Sequence, residues 1–256
     1  MDKNIKATTI GTLHNDLFFD RKISISFDNL KYDVTADYKV LVQIEPPSIM
    51  NVVNQIPQNK DNFDLILAWH PKILTQCENS KLFPFGSCWI NESDRIIHKK
   101  TKTLSIISSN KKSTVGHRLR HEIINKKLID MDIFGRGYKP IENKIIGLKD
   151  YMFSLIIEND NTDNWFTEKI IDCLVTGTIP VYWGCSNIGD YFNTKGFIQF
   201  NTIEEFKEII PKLNEDTYND LLPFTKENYD LCLGYTDFWG RIGDVIKENL
   251  NSNNEI

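Results

Sequence analysis

Residues 151–184 place one amphipathic stretch between two short apolar runs, and this pattern restricts the fold more than any other feature of the chain. The run 153–157 is bounded by charge, which is typical of a strand buried on both faces of a parallel sheet. Apolar residues then recur at helical spacing up to Gly177, which is placed to end a helix. The apolar run 179–183 follows directly. Two buried strands joined by a helical crossover are parallel neighbours, so the segment predicts an α/β fold.

The polar loop 159–164 and the start of the predicted helix lie at the carboxyl end of the first strand. Free backbone N–H groups and the helix dipole favour an anion there, and Lys169 adds a charge that suits a diphosphate. Glu168 repels phosphate, so a functional role for it is to accept hydrogen bonds from sugar hydroxyls. The alternative is that Glu168 complements the helix dipole and Lys169 is solvated, since charged first turns are common.

Three short motifs in this segment occur in an order that resembles glycosyltransferase family 10, the α1,3/4-fucosyltransferases. Glu158-Asn159 resembles the acidic-Asn pair of the family, and residues 165–169 resemble its Tyr-x-Thr-Glu-Lys motif. Residues 177–184 resemble its Gly-x-(Val/Ile)-Pro-Val-x-x-Gly strand. Trp165 stands where the family usually has Tyr, which keeps an aromatic face but removes the phenol hydroxyl.

The resemblance implies a fold, a reaction and a donor site. The implied fold is α/β and GT-B-like, with two Rossmann-like domains facing a central cleft. The implied reaction is inverting transfer of L-fucose from GDP-fucose to a hydroxyl of an acceptor glycan. Protein cations then hold the diphosphate, so no cofactor or metal site is required, and Mg²⁺ or Mn²⁺ is at most stimulatory. The implied donor-binding residues are Arg118, Glu158, Asn159, Trp165, Thr167, Glu168 and Lys169.

A second strand, polar loop and helix start precede this segment. Residues 104–107 predict a strand, and Ser109-Asn110 followed by Arg118 resembles a family segment whose Arg contacts the donor diphosphate. A guanidinium suits that task because its fixed fork can hold two phosphate oxygens. Arg120 is close enough to be the equivalent residue instead. Alternatively, the two arginines lie on different helix faces, one paired with Glu122 and the other solvated.

Further candidates surround these residues. Asn110 is a candidate donor contact, and Arg136 lies in a Phe-Gly-Arg segment that also resembles the family. Asp130 and Asp132 superficially resemble the Asp-x-Asp metal site of GT-A enzymes, but they flank the start of a predicted strand instead of following its end. We therefore predict no metal site there.

In the N-terminal part, the apolar runs 23–27, 40–44, 65–69 and 82–85 predict strands of an α/β domain, although the first thirty-five residues could form a hairpin. Glu45 follows the best of these strands and precedes two prolines, which hold it at the carboxyl edge where ligands bind. The resemblance implies that Glu45 is the catalytic base, with Ile44 in place of the family's Gly and Pro46 in place of its Asn. A turn residue is the alternative.

His70, just past the run 65–69, is a second candidate base or acceptor contact, or else a structural residue. The polar stretch 91–102 predicts a link between domains. The expected boundaries are 1–98 for an acceptor-side domain, 99–235 for a nucleotide-sugar domain, and 236–256 for a C-terminal helix that crosses back to the first domain.

The net charge of −5 argues against a nucleic-acid surface. Five cysteines without a Cys-x-x-Cys pair indicate reduced thiols, and no apolar run approaches the length of a membrane span. We therefore expect a soluble, cytoplasmic protein of the bacterial or viral type, in the host cytoplasm if viral, or a shortened chain. Its expected partners are GDP-fucose or a related nucleotide-sugar and an acceptor oligosaccharide or glycoconjugate.

Two alternatives stay open from the sequence. A related enzyme would transfer another nucleotide-sugar on the same scaffold. A non-catalytic protein that binds nucleotide-sugars or glycans would need Arg118 and Lys169 but not Glu45.

Overall fold

The structure is a computed structural model that describes residues 5–10, 13 and 15–252. The chain divides into two compact units. The first contains the described residues of 1–85 and 237–256 together with residues 163–165, and the second contains 86–162 and 166–236. The predicted domain ends at 1–4 and 253–256 lie outside the described residues.

The first unit is built on a parallel sheet with the strand order β2-β4-β5-β6-β7. A small antiparallel pair, β1 with β3, accompanies it, so only part of the expected hairpin forms. The elements are β1 (Ile5–Lys6), β2 (Thr8–Ile10), β3 (Phe18–Phe19), β4 (Ile23–Phe27), β5 (Tyr38–Val42), β6 (Leu65–Ala68), helix α1 (Pro71–Gln76) and β7 (Ser80–Leu82).

The second unit has its own parallel sheet, in the order β12-β11-β10-β8-β9. The elements are β8 (Lys102–Ile107), α2 (Val115–Lys126), β9 (Asp132–Phe134), β10 (Tyr151–Ile157), α3 (Glu168–Leu174), β11 (Ile179–Trp183), β12 (Ile198–Gln199), α4 (Ile203–Ile209) and α5 (Glu215–Leu233). The predicted strand, crossover helix and strand are confirmed as β10, α3 and β11, which pair in parallel as expected.

A last helix, α6 (Phe238–Ser252), belongs to the first unit. Its buried residues Ile242, Ile246 and Leu250 join the apolar side chains on one face of the first sheet. The opposite face packs against residues around Ile56 and against Ile73 of α1. Because both faces are covered, every residue of β4 and β6 and every residue of β5 except Lys39 is buried, which explains the mainly apolar runs in the sequence.

Short 3₁₀ helices occur between the main elements. They are Pro57–Asn62, Glu92–Asp94, Lys144–Gly147, Ile188–Asp190, Thr194–Gly196 and Ile210–Lys212. All five cysteines are free thiols. Among the described residues, no helix has both the length and the apolar character needed to cross a bilayer.

Residues 86–98 cluster with the second unit, whereas the sequence placed the division at 98/99. The Arg95 carbonyl accepts a hydrogen bond from the Tyr229 hydroxyl, and the His98 N–H donates to the Thr176 carbonyl at 3.2 Å. Lys100 then donates to the Thr176 carbonyl and the Thr178 hydroxyl, both at 2.8 Å. The stretch read as a polar link is therefore bound to the second unit by its own polar groups.

Several predicted elements differ at their ends for local reasons. Strand β5 stops at Val42, because the N–H groups of Ile44 and Glu45 donate to the side chain of Asp28 and not to a neighbouring strand. The predicted strand 82–85 is instead β7, which ends at Leu82 shortly before Pro84. Helix α4 ends at Ile209 and is followed by a 3₁₀ turn that contains Pro211.

Candidate functional site

A cavity of about 430 Å³ lies in the second unit, at the carboxyl ends of β8 and β10 and the starts of α2 and α3. Ligands bind at this edge in open α/β sheets. Its lining combines apolar strand ends with a concentration of charge. The polar and aromatic residues that line it are Trp89, Ser108, Ser109, Asn110, Lys111, His117, Arg120, Arg136, Lys144, Asn159, Glu168, Lys169 and Asp172.

The start of α2 is fixed against the exit of β10. Thr114 is the N-cap, and its hydroxyl oxygen accepts the N–H of His117 at 3.1 Å. The N–H of Gly116 donates to the Asn159 carbonyl at 3.2 Å. A Cβ on Gly116 would lie 1.7 Å from the Glu158 carbonyl oxygen, so only glycine allows this approach. The sequence therefore brings the first turn of α2 directly to the loop after β10.

His117 completes the cap and enters the cavity lining. Its Nδ1 accepts the N–H of Thr114 at 3.2 Å and lies 2.8 Å from the Thr114 hydroxyl oxygen. The ring proton is therefore on Nε2. Burial, together with Arg120 and Lys111, lowers the pKa of His117 to about 4. The residue is thus a neutral imidazole whose Nε2–H is a donor at neutral pH.

Arg120 brings a buried positive charge to the cavity. The residue is 4 % exposed, and its guanidinium donates to the Asn159 side-chain oxygen. Its Nε has no hydrogen-bond partner, and no carboxylate in the described part of the chain forms an ion pair with it. A buried guanidinium stays charged and is costly without a counter-charge, so this geometry favours an anionic ligand.

Arg118 lies two positions earlier and has a different environment. Its side chain is exposed, and it donates to the Ser113 carbonyl at 3.2 Å. It does not line the cavity. Residues i and i+2 point to different faces of a helix, so the structure brings Arg120 and not Arg118 to the site.

Glu158 and Thr167 lie beneath the cavity and hold Lys169. The Glu158 carboxylate is fully buried and accepts the N–H of Thr167 at 2.9 Å and its hydroxyl at 2.7 Å. Lys169 Nζ donates to the same carboxylate at 3.1 Å and to the Thr167 hydroxyl at 2.9 Å. Because Thr167 also caps α3, one network fixes both the helix start and the ammonium group.

A second network surrounds Glu168. Lys144 Nζ lies 2.9 Å from carboxylate oxygens of both Glu168 and Asp172. The same ammonium lies 4.1 Å from the ring centroid of Trp89. The backbone N–H of Trp89 donates to the Asp172 carboxylate at 2.6 Å. Burial raises the pKa of Glu168, but Lys169 and Lys144 outweigh that effect and bring the pKa to about 2. Glu168 is therefore an ionised acceptor at the cavity wall.

Glu45, in the first unit, follows β5 at the carboxyl edge of its sheet. Asp28 accepts the N–H groups of Ile44 and Glu45 at 3.0 and 2.9 Å, one on each carboxylate oxygen. The carbonyl of Ile44 accepts the indole N–H groups of Trp69 and Trp165, at 3.0 and 2.9 Å. Side chains thus satisfy the polar backbone groups of the segment that carries Glu45.

His70 lies in the same unit and has a structural contact. Its Nδ1 accepts the N–H of Lys72 at 3.1 Å, which makes it the N-cap of α1. Its own N–H donates to the side-chain oxygen of Gln43 at 3.1 Å, and the Nε2 of that amide is buried and makes no hydrogen bond to a described residue.

The structure thus distributes the predicted site residues over three positions. Those that line the cavity are Asn110, Arg120, Arg136, Asn159, Glu168 and Lys169. Those of the second unit outside its lining are Arg118, Glu158 and Thr167. Those of the first unit are Glu45, His70 and Trp165.

The cavity residues that the sequence analysis did not predict include Trp89, His117, Lys144 and Asp172. Thr114 three residues before His117 is a capping-box spacing, which could have placed His117 in the first turn of α2. Glu168 and Asp172 are four residues apart, and such an acidic pair on one helix face requires a nearby cation. Nothing in the sequence indicates that Lys144 is that cation.

Asp132 lies at the start of β9, away from this edge of the sheet. Its carboxylate pairs with Lys102 at 3.1 Å and accepts the Tyr151 hydroxyl. Within the described ranges, no cluster of three acidic, histidine or cysteine side chains could hold a metal ion.

Comparison with known proteins places these motifs in context. The sequence model "Glycosyltransferase family 10 (fucosyltransferase) C-term" matches residues 97–226, just over half of the chain. The alpha-(1,3)-fucosyltransferase FucT of Helicobacter pylori is 35 % identical over 91 residues, which are 34 % of this chain and 19 % of the relative. A putative fucosyltransferase-like protein of Arabidopsis thaliana is 30 % identical over 115 residues, 41 % of this chain and 22 % of the relative. The matches thus span about a fifth of these relatives.

A solved structure has a similar fold. The crystal structure of an alpha1,3-fucosyltransferase with GDP-fucose aligns with a TM-score of 0.52 at 17 % identity, covering 78 % of this chain and 68 % of that one. With the two parallel sheets described above, this likeness confirms the predicted α/β, GT-B-like fold class.

Proposed function

This chain belongs to glycosyltransferase family 10, the fucosyltransferases, and from that membership we propose that it transfers L-fucose from GDP-fucose to a hydroxyl of an acceptor glycan. One observation carries the proposal: the buried guanidinium of Arg120, unpaired at Nε, lines a cavity large enough for part of a nucleotide-sugar. The preference for GDP-fucose rests on the family and on the solved relative, which was crystallised with that donor.

In this proposal the diphosphate of the donor binds between α2 and α3. Arg120 and Lys169 supply positive charge, and the neutral His117 supplies a third donor. These groups are already oriented by Asn159, Glu158 and the α2 cap, so they stabilise the departing diphosphate without reorganisation. Glu168, ionised at all relevant pH values, accepts hydroxyl hydrogen bonds from the sugars.

Glu45 is the proposed general base. Its carboxylate takes the proton of the acceptor hydroxyl while the acceptor oxygen forms a bond to C1 of fucose. The bond from C1 to the diphosphate oxygen breaks, and its electron pair leaves with GDP. A single displacement of this kind inverts the configuration at C1. The proposal needs no metal, and Mg²⁺ or Mn²⁺ would at most stimulate it.

The first experiment tests the donor. In thermal-shift and calorimetric titrations, GDP should stabilise the protein more than UDP, ADP or CMP. At about 100 times Kd the stabilisation should reach roughly 2.7 kcal/mol. A preference for UDP, or equal shifts with all nucleotides, would contradict the donor assignment. Turnover of GDP-mannose in preference to GDP-fucose would favour a different sugar on the same scaffold.

The second experiment separates an enzyme from a binding protein. Glu45→Gln should leave GDP affinity unchanged, since the amide is nearly isosteric. Turnover should fall by about 10²–10⁴, the usual contribution of a general base. A wild-type protein that binds GDP-fucose tightly but transfers nothing to any glycan of a broad acceptor panel would be a binding protein instead.

A further inference from the structure

The side chain of Asp28 binds the backbone segment that contains Glu45. It follows β4 directly and has a left-handed backbone, with φ of 46°. Its own N–H donates to the Val42 carbonyl at 3.0 Å, the last residue of β5. Its carboxylate accepts the next free N–H groups, those of Ile44 and Glu45. Asp28 thus continues the pairing of β4 with β5 through its side chain, two residues beyond the end of the strand.

Few residue types could occupy this position. A left-handed backbone favours Gly, Asn or Asp. Of these, only Asp offers two acceptor oxygens to two N–H groups, because the Asn amide presents one oxygen and one donor. The two indoles on the Ile44 carbonyl hold the same peptide from its other side. The backbone of Ile44 and the N–H of Glu45 are therefore fixed from three directions.

We propose that Asp28 is a positioning residue for Glu45: its carboxylate holds the N–H groups of Ile44 and Glu45 and so seats the segment that presents the base. This inference rests on the proposed function, in which Glu45 is the base. Neither the comparisons nor the motifs point to Asp28.

The electrostatics of the pair support this role. Burial raises the pKa of Asp28 to about 7, and the charge of Glu45 adds to the increase. The N–H groups of Glu45 and Ile44 oppose the increase but do not cancel it. These are the groups that act on the Asp28 carboxyl. Asp28 therefore keeps its proton up to near neutral pH, and a negative charge on Glu45 favours the protonated form further.

The first test needs no turnover and no change at Asp28. Carboxyl ¹³C NMR should show Asp28 titrating near pH 7 in the wild type and at a lower pH in Glu45→Gln, because the neighbouring charge is gone. The same midpoint in both proteins, or a wild-type midpoint near 4, would overturn the proposal. This readout is independent of donor and acceptor.

The second test separates kcat from KM. In Asp28→Asn, loss of one acceptor oxygen should lower kcat, because the base is no longer held in place, whereas the KM for GDP-fucose should stay near the wild-type value. Asp64→Asn is the matched control, because Asp64 also accepts a backbone N–H, that of Lys39 at 2.7 Å, but at the other end of β5. The control should keep the wild-type kcat and KM.

The outcomes separate this inference from the proposed function. If kcat of Asp28→Asn is unchanged, or falls only together with the affinity for GDP, Asp28 does not position the base and the inference is overturned. If Asp28→Asn does not fold, the NMR comparison decides. If the wild type transfers nothing although the Asp28 midpoint responds to Glu45→Gln, the proposed function fails and the interaction of the two residues stands.

Discussion

Arg120 is buried and forms no ion pair with a carboxylate of the described residues, whereas Arg118 is exposed to solvent. The two differ because α2 begins at Val115 and packs on Asn159, which turns residue 120 inward and residue 118 to solvent. The family motif predicted an arginine here, but spacing could not choose between residues on different helix faces. The choice depends on where the helix starts, and Thr114 and Gly116 set that point.

Replacing Arg120 with Met should weaken GDP binding by about 10- to 150-fold, the equivalent of a charge-assisted hydrogen bond of about 1.5–3 kcal/mol. The unliganded protein should be as stable or more stable, because an unpaired buried charge is removed. Calorimetry with GDP and urea unfolding without it measure the two effects. Arg118→Met is the control and should change neither. A loss of GDP affinity in the control alone would return the diphosphate role to Arg118.

His117 should make stability depend on pH. Its pKa in the folded protein is about 4, below the ordinary value near 6.5, so between these values the unfolded chain binds more protons. The free energy of unfolding contributed by His117 should therefore fall as the pH is lowered from about 6.5 to 4. Gln in its place keeps the capping box but does not titrate. The difference in unfolding free energy between wild type and His117→Gln, from urea titrations at several pH values, isolates this effect. A difference that stays constant with pH would contradict it.

The first turn of α2 tolerates no side chain at Gly116. In an ordinary helix, Gly→Ala is favourable by up to about 1 kcal/mol. Here the new Cβ would lie 1.7 Å from a backbone carbonyl oxygen, so Gly116→Ala should destabilise the protein by about 1–3 kcal/mol or more. Because His117 and Arg120 follow in the same helix, GDP binding should fall as well.

Gly234→Ala is the matched control, since its backbone is right-handed and the nearest atom to a Cβ is 3.5 Å away. Urea unfolding should find this variant unchanged or slightly stabilised. Equal destabilisation of both variants would mean that the close approach of α2 to β10 is not what requires Gly116.

Elements buried on both sides were predicted well, and elements at sheet edges were not. Strands β10 and β11 and helix α3 match the sequence pattern closely, because apolar runs of that kind have one stable arrangement. The edge strand β7 is displaced from the predicted run 82–85, since partial exposure weakens the pattern. The side chain of Asp28 ended β5 early, which no local propensity could have shown.

For the molecule as a whole, we predict that fucose transfer persists in excess EDTA. Arg120 and Lys169 supply the positive charge that other transferases obtain from a metal ion. Initial rates with and without EDTA, followed by added Mn²⁺, provide the test. Complete loss that Mn²⁺ restores would contradict the proposed role of these cations, whereas modest stimulation would not.

The division of the chain was only partly visible in its sequence. Two α/β halves were predicted, and the C-terminal helix joins the first unit. The sequence did not predict that residues 163–165 belong to the first unit, because three residues are too few to show a periodic apolar pattern. One hydrogen bond that holds these residues there runs from the Trp165 indole N–H to the Ile44 carbonyl, which is far away in the sequence. Trp165, which the sequence predicts as a donor contact, donates its indole N–H to the segment that carries Glu45.

The assignment of residues 163–165 to the first unit limits how related proteins can exchange segments. Exchanging the first unit between two relatives means transplanting three separate stretches: 1–85, the tripeptide 163–165 and 237–256. A hybrid that exchanges only 1–85 and 237–256 would keep its original Trp165. The indole of that residue would then have to donate to a carbonyl of the other parent's chain. Crossovers that preserve function should therefore carry the tripeptide along. Modular shuffling of this scaffold needs a breakpoint on each side of residues 163–165, within a few codons of the Glu-Lys pair.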